Sequence, residues 1–212
     1  TGSDINHNNP DIPFLHVAIG FEGPSISSPD ILVLNVMQLL IGSYDKAMGA
    51  GKYVSTPFCH KIADLDLARS VVPFNHAYSD RGLFGVHIVS DGGKDTDTLQ
   101  IEAVKAMTRL CYKVSDQELE RAKNLLKNQM LAAYEGNLNG VLEEVGRQIL
   151  FYGRRPSVAE MYARIDAITA EDVMRVATKY IYDKDPVVAS VGKTEECLEW
   201  SWLRIWTYSW KL

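Results

Sequence analysis

The chain has 212 residues, enough for one domain or two small ones with a sizeable buried core. Its hydrophobic fraction of 46% and charged fraction of 23% are ordinary for a globular protein. A net charge of −5 and a pI near 5.5 argue against binding to nucleic acid or to an anionic membrane surface.

The amino-terminal third predicts a strand followed by two helices. Apolar and polar residues alternate over 15–22, the pattern of a half-buried strand. Ser28 as N-cap, with proline at the first helical position, predicts a helix over 29–41. We expect a long loop over 42–56, which is rich in glycine, and a short helix over 58–66.

The clearest hairpin in the sequence joins predicted strands over 69–78 and 83–90. Ser79-Asp80-Arg81-Gly82 lies between them, and we expect Gly82 to adopt a positive φ in the turn.

Helical periodicity extends from there to residue 181, and a last short strand is expected over 186–192. Helix starts are indicated by Ser115-x-x-Glu118, Ser157-x-x-Glu160 and Thr169-x-x-Asp172. The residues expected to face inward are Leu99, Val104, Met107, Cys111, Leu119, Ala122, Leu126, Met130, Ala133, Leu142, Val145, Ile149, Val173, Val176, Ala177 and Tyr180. Together these elements predict an α+β fold with an antiparallel or mixed sheet and helices packed on one face.

The carboxy-terminal residues 195–212 form an aromatic tail after an α+β domain over 1–194. All four tryptophans lie there, at Trp200, Trp202, Trp206 and Trp210. Exposed aromatic residues favour aggregation, so the tail is expected to pack on its own domain or against a partner.

Targeting and redox signals are sparse. No stretch reaches the roughly 20 apolar residues of a membrane span. The opening residues 1–4 are not typical of a signal or transit peptide, so targeting was either removed or lies on another part of a longer precursor. Cys59, Cys111 and Cys197 are odd in number and widely spaced, which favours free thiols over a zinc or redox site.

The sequence offers no convincing metal site. No two histidines have the H-E-x-x-H or H-x-x-E-H spacing that places two imidazoles and a glutamate on one helix. His60 and Asp64 could share a metal but are more simply a surface pair. His76 and His87, on the two hairpin strands, are more simply one exposed and one satisfied against the sheet than co-ligands of a metal. The two other histidines are His7 and His16.

Other catalytic motifs are equally absent. No G-x-S-x-G elbow supports a serine nucleophile. Gly49-Ala50-Gly51-Lys52 lacks the upstream glycine and the following Ser/Thr of a phosphate loop, which favours a flexible loop. The residues alone therefore indicate a binding or structural domain.

Segments along nearly the whole chain carry a resemblance. Residues 1–4 with 15–19 resemble TGSE…LAHVAIAVEG, and residues 74–85 resemble FNxxYxDTGLFG. Residues 144–155 resemble the more specific EDIGRQLLTYGRR, and residues 187–192 resemble the closing strand. These motifs are those of β-type mitochondrial processing peptidase subunits and complex III core proteins, in the metallopeptidase family with an inverted zinc motif.

The resemblance implies a half molecule. Subunits of that family have two similar α+β domains, and H-x-x-E-H belongs to the amino-terminal one, whereas this chain resembles the carboxy-terminal one. It therefore implies no catalytic and no metal residue here, and zinc on the amino-terminal half. The implied partners are that zinc-binding half, an α-type processing peptidase or second core subunit, other complex III subunits and presequence peptides, with no nucleic acid.

On that model the second domain closes a chamber in which presequences bind extended. Substrate-chamber or interdomain contacts are then expected at Phe74, Asn75, Tyr78, Gly49 and Gly51. The alternative is that Phe74 and Tyr78 are core residues of the sheet. The motif residues Arg147, Tyr152, Arg154 and Arg155 are expected to have structural roles, with the arginines anchoring helix ends or interdomain salt bridges.

Two functional classes follow from the resemblance. One is the non-catalytic half of a zinc endopeptidase that removes presequences, which also serves as a core subunit of respiratory complex III. The alternative is a purely structural core subunit without peptidase activity. Either class places the chain in the mitochondrial matrix or on the matrix face of the inner membrane. The mild negative charge suits basic presequences.

Overall fold

A computed structural model describes residues 2–49, 54–93, 95–134 and 138–209. The strands are β1 Ser3–Asn8, β2 Leu15–Gly23, β3 Tyr44–Asp45, β4 Ser70–Ala77, β5 Gly82–Ser90 and β6 Val187–Gly192. The helices are α1 Ile31–Ile41, α2 Pro57–Leu65, α3 Thr96–Arg109, α4 Asp116–Tyr134, α5 Leu138–Tyr152, α6 Val158–Asp166, α7 Ala170–Tyr180 and α8 Trp200–Ile205. None of the described helices is both long and apolar enough to cross a lipid bilayer.

The strands form one six-stranded sheet in the order β1-β6-β2-β5-β4-β3. β1 pairs with β6 in parallel, and every other pair is antiparallel. The mixed sheet of an α+β fold, expected from the sequence, is confirmed.

The core lies between one face of this sheet and the helices. On β2, Leu15, Val17, Ile19 and Phe21 are at most 1% exposed, because alternate side chains of a strand point to the same face. Helix α1 packs against β4, α4 and α7 and is buried on nearly all sides. It is the central element of the helical layer.

All three predicted helix starts show the expected cap, including Ser157, whose hydroxyl accepts from the backbone N–H of Glu160 at 3.1 Å. The Ser115 hydroxyl accepts from the backbone N–H of Glu118 at 3.2 Å, and Thr169 and Asp172 form a reciprocal capping box. Such caps satisfy backbone donors that the first helical turn leaves unpaired.

The start of α1 was predicted two residues too early. Ser28 and Pro29 lie in a preceding turn, where the Ser28 hydroxyl accepts from the backbone N–H of Asp30 at 3.3 Å. The helix begins at Ile31 because Asp30, rather than Ser28, occupies the N-cap position.

The positive φ expected for Gly82 was also wrong. Gly82 does not have a positive φ. A Cβ at Gly82 would lie 2.6 Å from the carbonyl oxygen of Pro24 and 2.8 Å from that of His76. Glycine is therefore required by the close approach of neighbouring backbone, not by the turn.

The structure adds two strands that the sequence did not reveal. β1 is polar, Ser-Asp-Ile-Asn-His-Asn, and all its residues are exposed, so it has no apolar alternation. β3 and a 3₁₀ turn over Lys46–Met48 occupy part of the segment expected to be a long loop. Residues 50–53 of that segment, including Gly51, lie outside the described part of the chain.

The described part of the tail packs on its own domain. Leu203 of α8 is fully buried, and the backbone oxygen of Trp206 accepts a hydrogen bond from Thr108 at 3.3 Å. The Trp200 indole donates to the Pro186 carbonyl at 2.7 Å, and Arg204 pairs with two aspartates after α7.

A buried carboxylate ties α7 to the start of α1. Asp30 is 5% exposed and accepts from Lys179 at 2.8 Å, from Arg175 at 3.3 Å and from the Tyr180 hydroxyl at 3.3 Å. Burial alone would raise the pKa of Asp30, but the hydrogen bonds and charges of Lys179 and Arg175 outweigh burial and hold it below 3.8.

Replacing Asp30 with asparagine is expected to lower the free energy of unfolding at pH 7 by about 1–2 kcal/mol. Because the folded-state pKa is depressed, this stabilisation is complete well above 3.8 and is lost as the pH falls through the folded-state value. Urea unfolding at several pH values checks both statements. Asp11→Asn, at an exposed position outside the described ion pairs, is the control, and its free energy of unfolding should stay within about 0.5 kcal/mol of the parent value. A stability loss in Asp30→Asn that did not shrink in acid would contradict the charge-based account.

Candidate functional surface

The sheet face opposite the helices is uncovered and largely apolar; we call it the open face. Residues directly opposite each other in a strand pair lie on the same face of the sheet. The register therefore places alternate residues of each strand on the open face. Its apolar members are Ile5, Ala18, Val72, Phe74, Leu83, Val89, Val187, Ala189 and Val191. Val72 is 49% exposed, Leu83 38% and Val191 38%, although a solvated sheet face normally carries polar side chains. A contiguous apolar surface of this kind marks an interaction site.

A flat glycine patch lies in the middle of the open face. Gly20 of β2 stands directly opposite Gly85 of β5, and the ring of Phe74 lies across the pair. A Cβ on Gly85 would lie 2.8 Å from the Phe74 ring and 2.1 Å from the backbone oxygen of Ile19. The close approach therefore excludes a side chain at Gly85, whereas the nearest atom to a Cβ at Gly20 would be the flexible end of Leu83, at 3.2 Å.

Four of the chain's five histidines, His7, His16, His76 and His87, also lie on the open face. The rings of His16 and His87 stack at 5.6 Å, and His76 stacks on Phe74 at 5.5 Å. Burial lowers the pKa of His87 below 6.5, and the neighbouring His16 adds a smaller effect in the same direction. Both effects favour the uncharged form of His87, which suits its place among the apolar residues of this face.

The three chamber contacts predicted on or beside the hairpin strands do not share one surface. Phe74 is half-buried on the open face. Asn75 points to the helical side, where its amide donates to the Asn35 side chain at 2.8 Å. Tyr78 lies beyond the end of β4 and is 61% exposed, so it is not a core residue of the sheet.

Gly49 ends the 3₁₀ turn in the left-handed conformation, with no described atom within 4 Å of a Cβ placed there. It is therefore a surface position. Gly51 lies outside the described residues.

The arginine-rich motif sits at the end of α5 and links neighbouring elements. The Tyr152 hydroxyl donates to the backbone oxygen of Ile26 at 3.1 Å. Arg154 forms two hydrogen bonds with Glu160 in the first turn of α6, at 2.8 and 2.6 Å, and these bonds lower the pKa of Glu160 to about 2.

The two other arginines of the motif are less engaged. Arg147 pairs with Glu144 within α5, and Arg155 is exposed with no described carboxylate in ion-pair range.

The interpretation of α5 as an inward-facing amphipathic helix was wrong for part of its apolar stripe. Leu142 and Ile149, both expected to face inward, are 61% and 54% exposed, and Leu138 on the same helix is 74% exposed. The buried side of α5 instead carries Gln148, with Tyr152 half-buried beside it. The domain thus has a second uncovered apolar surface, on its helical side.

No group of three potential metal-ligating side chains occurs among the described residues. His16 and His87 are stacked with nearly parallel planes, so their in-plane nitrogen lone pairs do not converge on one point. His60 pairs with Asp64 at 2.7 Å and both are well exposed. The described residues do not fit a zinc site.

Sequence reasoning missed most of the open face. The signal was available in β5. Its core-facing residues are mostly apolar, and Leu83, Gly85 and Val89 make the other face apolar or small as well. A strand with two apolar faces is typical of a sheet that is covered on both sides.

Comparison with protein families matches residues 1–126 to the model described as "Peptidase M16 inactive domain". Among curated proteins, the chain is 40% identical over 208 residues to the probable mitochondrial-processing peptidase subunit beta of Arabidopsis thaliana, covering 98% of this chain and 39% of that protein. It is 39% identical over 196 residues to the corresponding subunit of Bos taurus, covering 92% and 40%.

A third relative is subunit 1 of the human cytochrome b-c1 complex, 37% identical over 204 residues, covering 96% of this chain and 42% of that protein. The chain thus spans about two fifths of the length of these curated relatives. Among solved structures, a chain of "Complex III2 from Candida albicans, Inz-5 bound" superposes with a TM-score of 0.93 at 22% identity, over 98% of this chain and 50% of that one. This likeness shows that the two share the fold.

Proposed function

The chain belongs to the peptidase M16 family, as a domain of its inactive type, and from this premise we propose that it is the non-catalytic carboxy-terminal half of a β-type processing peptidase subunit. In this role it closes the chamber in which mitochondrial presequences are cleaved. It also serves as a core subunit of respiratory complex III.

The observation that carries the proposal is the uncovered apolar open face. Val72, Phe74 and Leu83 lie on it, and exposing such an apolar surface to water is unfavourable for an isolated soluble domain. A second domain that packs against it removes the apolar area from water at about 25 cal/mol per Å². We therefore assign the open face to contact with the zinc-bearing half and to the adjoining chamber wall.

Catalytic chemistry is assigned to the other half. A zinc ion there would polarise the peptide carbonyl and activate a water molecule. The residues of this chain contribute no ligand and hold no proton in that reaction. Their task is to position the halves and exclude bulk water, while a net charge of −5 attracts basic presequences.

A purely structural role in complex III is the second candidate. It is favoured by the 37% identity to subunit 1 of the human cytochrome b-c1 complex. Both candidates place the chain in mitochondria, on the matrix side of the inner membrane, and both give it an α-type or second core subunit as partner.

Purification of the native assembly in mild detergent, with mass spectrometry of the subunits and a zinc determination, tests the proposal. We expect cytochrome b and c1, a zinc-bearing half and bound zinc, with cleavage of a basic presequence peptide. Chelation followed by re-addition of zinc is the control for metal-dependent cleavage. Recovery of the cytochrome subunits without bound zinc and without peptide cleavage would support the scaffold role and rule out the peptidase role.

A further inference from the structure

A cavity of about 420 Å³ lies away from the open face, between α1, α2, α3 and the end of α8. Its floor is apolar and is formed by Leu40, Phe58, Ala106 and Leu110. Leu40, Phe58 and Leu110 belong to the buried core, so the floor is fixed by the fold rather than by mobile surface side chains. An apolar hollow with a few polar groups at its rim is the usual form of a small-molecule site.

The rim of the cavity carries more positive than negative charge. Lys61 and Lys105 both pair with the same carboxylate, Glu102, at 2.8 and 3.4 Å. Arg109, which also lines the cavity, is neutralised separately by two hydrogen bonds of 2.8 Å to Glu118. Among the described residues, these two ammonium groups therefore share one carboxylate, which leaves one positive charge beside the apolar hollow.

Trp206 forms one wall and brings the tail into the site. The Lys105 ammonium lies 4.2 Å from the centre of the Trp206 ring, and the backbone oxygen of Trp206 is held by the Thr108 hydroxyl. The indole thus positions a cation at the mouth of the apolar hollow.

We propose that this cavity binds a single-chain amphiphile with an anionic head, of the fatty-acid class. The hydrocarbon chain occupies the apolar floor, and the carboxylate lies between Lys61 and Lys105. There it supplies the second negative charge that the two lysines lack. A cationic or neutral head would leave that charge uncompensated. The inference does not depend on the proposed function, since no residue of the open face takes part.

Calorimetric titration of the full chain with dodecanoate is expected to show one saturable site. Affinity should rise by about three- to fourfold for each methylene added from hexanoate upward, until the cavity is filled. Dodecyl maltoside has the same chain and an uncharged head, and should bind at least about fivefold more weakly. Equal affinity for the two amphiphiles would overturn the proposal.

Variants locate the site. Lys61→Gln combined with Lys105→Gln should weaken dodecanoate binding by about tenfold and leave dodecyl maltoside unchanged. Lys184→Gln, at an exposed lysine outside the cavity, is the control for loss of a surface positive charge and should change neither. Ala106→Phe fills the hollow and should abolish binding of both, with circular dichroism to show that the fold is kept. Unchanged binding in the double-lysine variant, or equal loss in Lys184→Gln, would refute the assignment even if Ala106→Phe does not fold.

Discussion

Gly85→Ala is expected to destabilise the domain by about 2–3 kcal/mol, although it adds a single methyl group. The new Cβ would lie 2.1 Å from the backbone oxygen of Ile19 and 2.7 Å from the Cα of Gly20. Both atoms belong to the neighbouring strand backbone, so they cannot move without disturbing the β2–β5 ladder. For a domain of this size the melting temperature should fall by about 5–10 °C.

Thermal unfolding of the purified variant measures this effect, and Gly146→Ala is the matched control. Gly146 lies within α5, and a Cβ there would have no neighbour within 4 Å among the described residues outside its own helix. Alanine should therefore stabilise that helix by about 0.5–1 kcal/mol through its higher helix propensity. The same chemical change should thus have opposite signs at the two positions. A Gly85→Ala variant as stable as the parent chain would disprove the close approach of β2 and β5.

The sheet and its helical layer could be predicted from the sequence because their signals are local. The alternation over 15–22 and the hairpin strands each place one apolar set on one face, and the structure buries Leu15, Val17 and Ile19 as expected. The capping residues Ser115 and Thr169 likewise report on the turn in which they stand.

What the sequence did not reveal depends on distant neighbours. β1 has no apolar pattern and is a strand because β6, about 180 residues later in the chain, supplies its hydrogen-bond partners. Nothing in the local sequence marks Asp30, yet its carboxylate is held by Lys179 of α7. The apolar stripe of α5 has helical spacing, but spacing alone does not say whether a neighbour covers it.

The candidate surface was only partly predictable for the same reason. Phe74 was identified by resemblance and does lie on the open face, whereas its neighbour Asn75 points to the other side, since successive side chains alternate across a strand. Resemblance identifies segments of chain, and the sheet register then decides which residues of a segment can touch a partner.

Placing a charge on the open face is expected to separate folding from assembly. In Leu83→Asp and Val72→Asp the new carboxylate is solvated in the isolated domain, because both positions are substantially exposed. The melting temperature of the chain alone should therefore stay within about 2 °C of the parent value. Packing of the zinc-bearing half would bury that carboxylate without a partner, at a cost of about 3 kcal/mol or more.

Association between the two halves should accordingly weaken by about 100-fold or more in these variants, and presequence cleavage should fall with it. Titration of one half against the other, with zinc-dependent peptide cleavage as a second readout, measures both effects. Leu65→Asp is the matched control, since Leu65 is 53% exposed at the end of α2 and lies away from the open face. If Leu65→Asp weakened association while Leu83→Asp and Val72→Asp did not, the contact with the other half would lie on the helical side. Leu138 and Leu142 of α5 are among the uncovered apolar residues there. Normal association in all three variants would leave the open face without the role assigned to it, because an interface that excludes water does not tolerate an unpaired carboxylate at its centre.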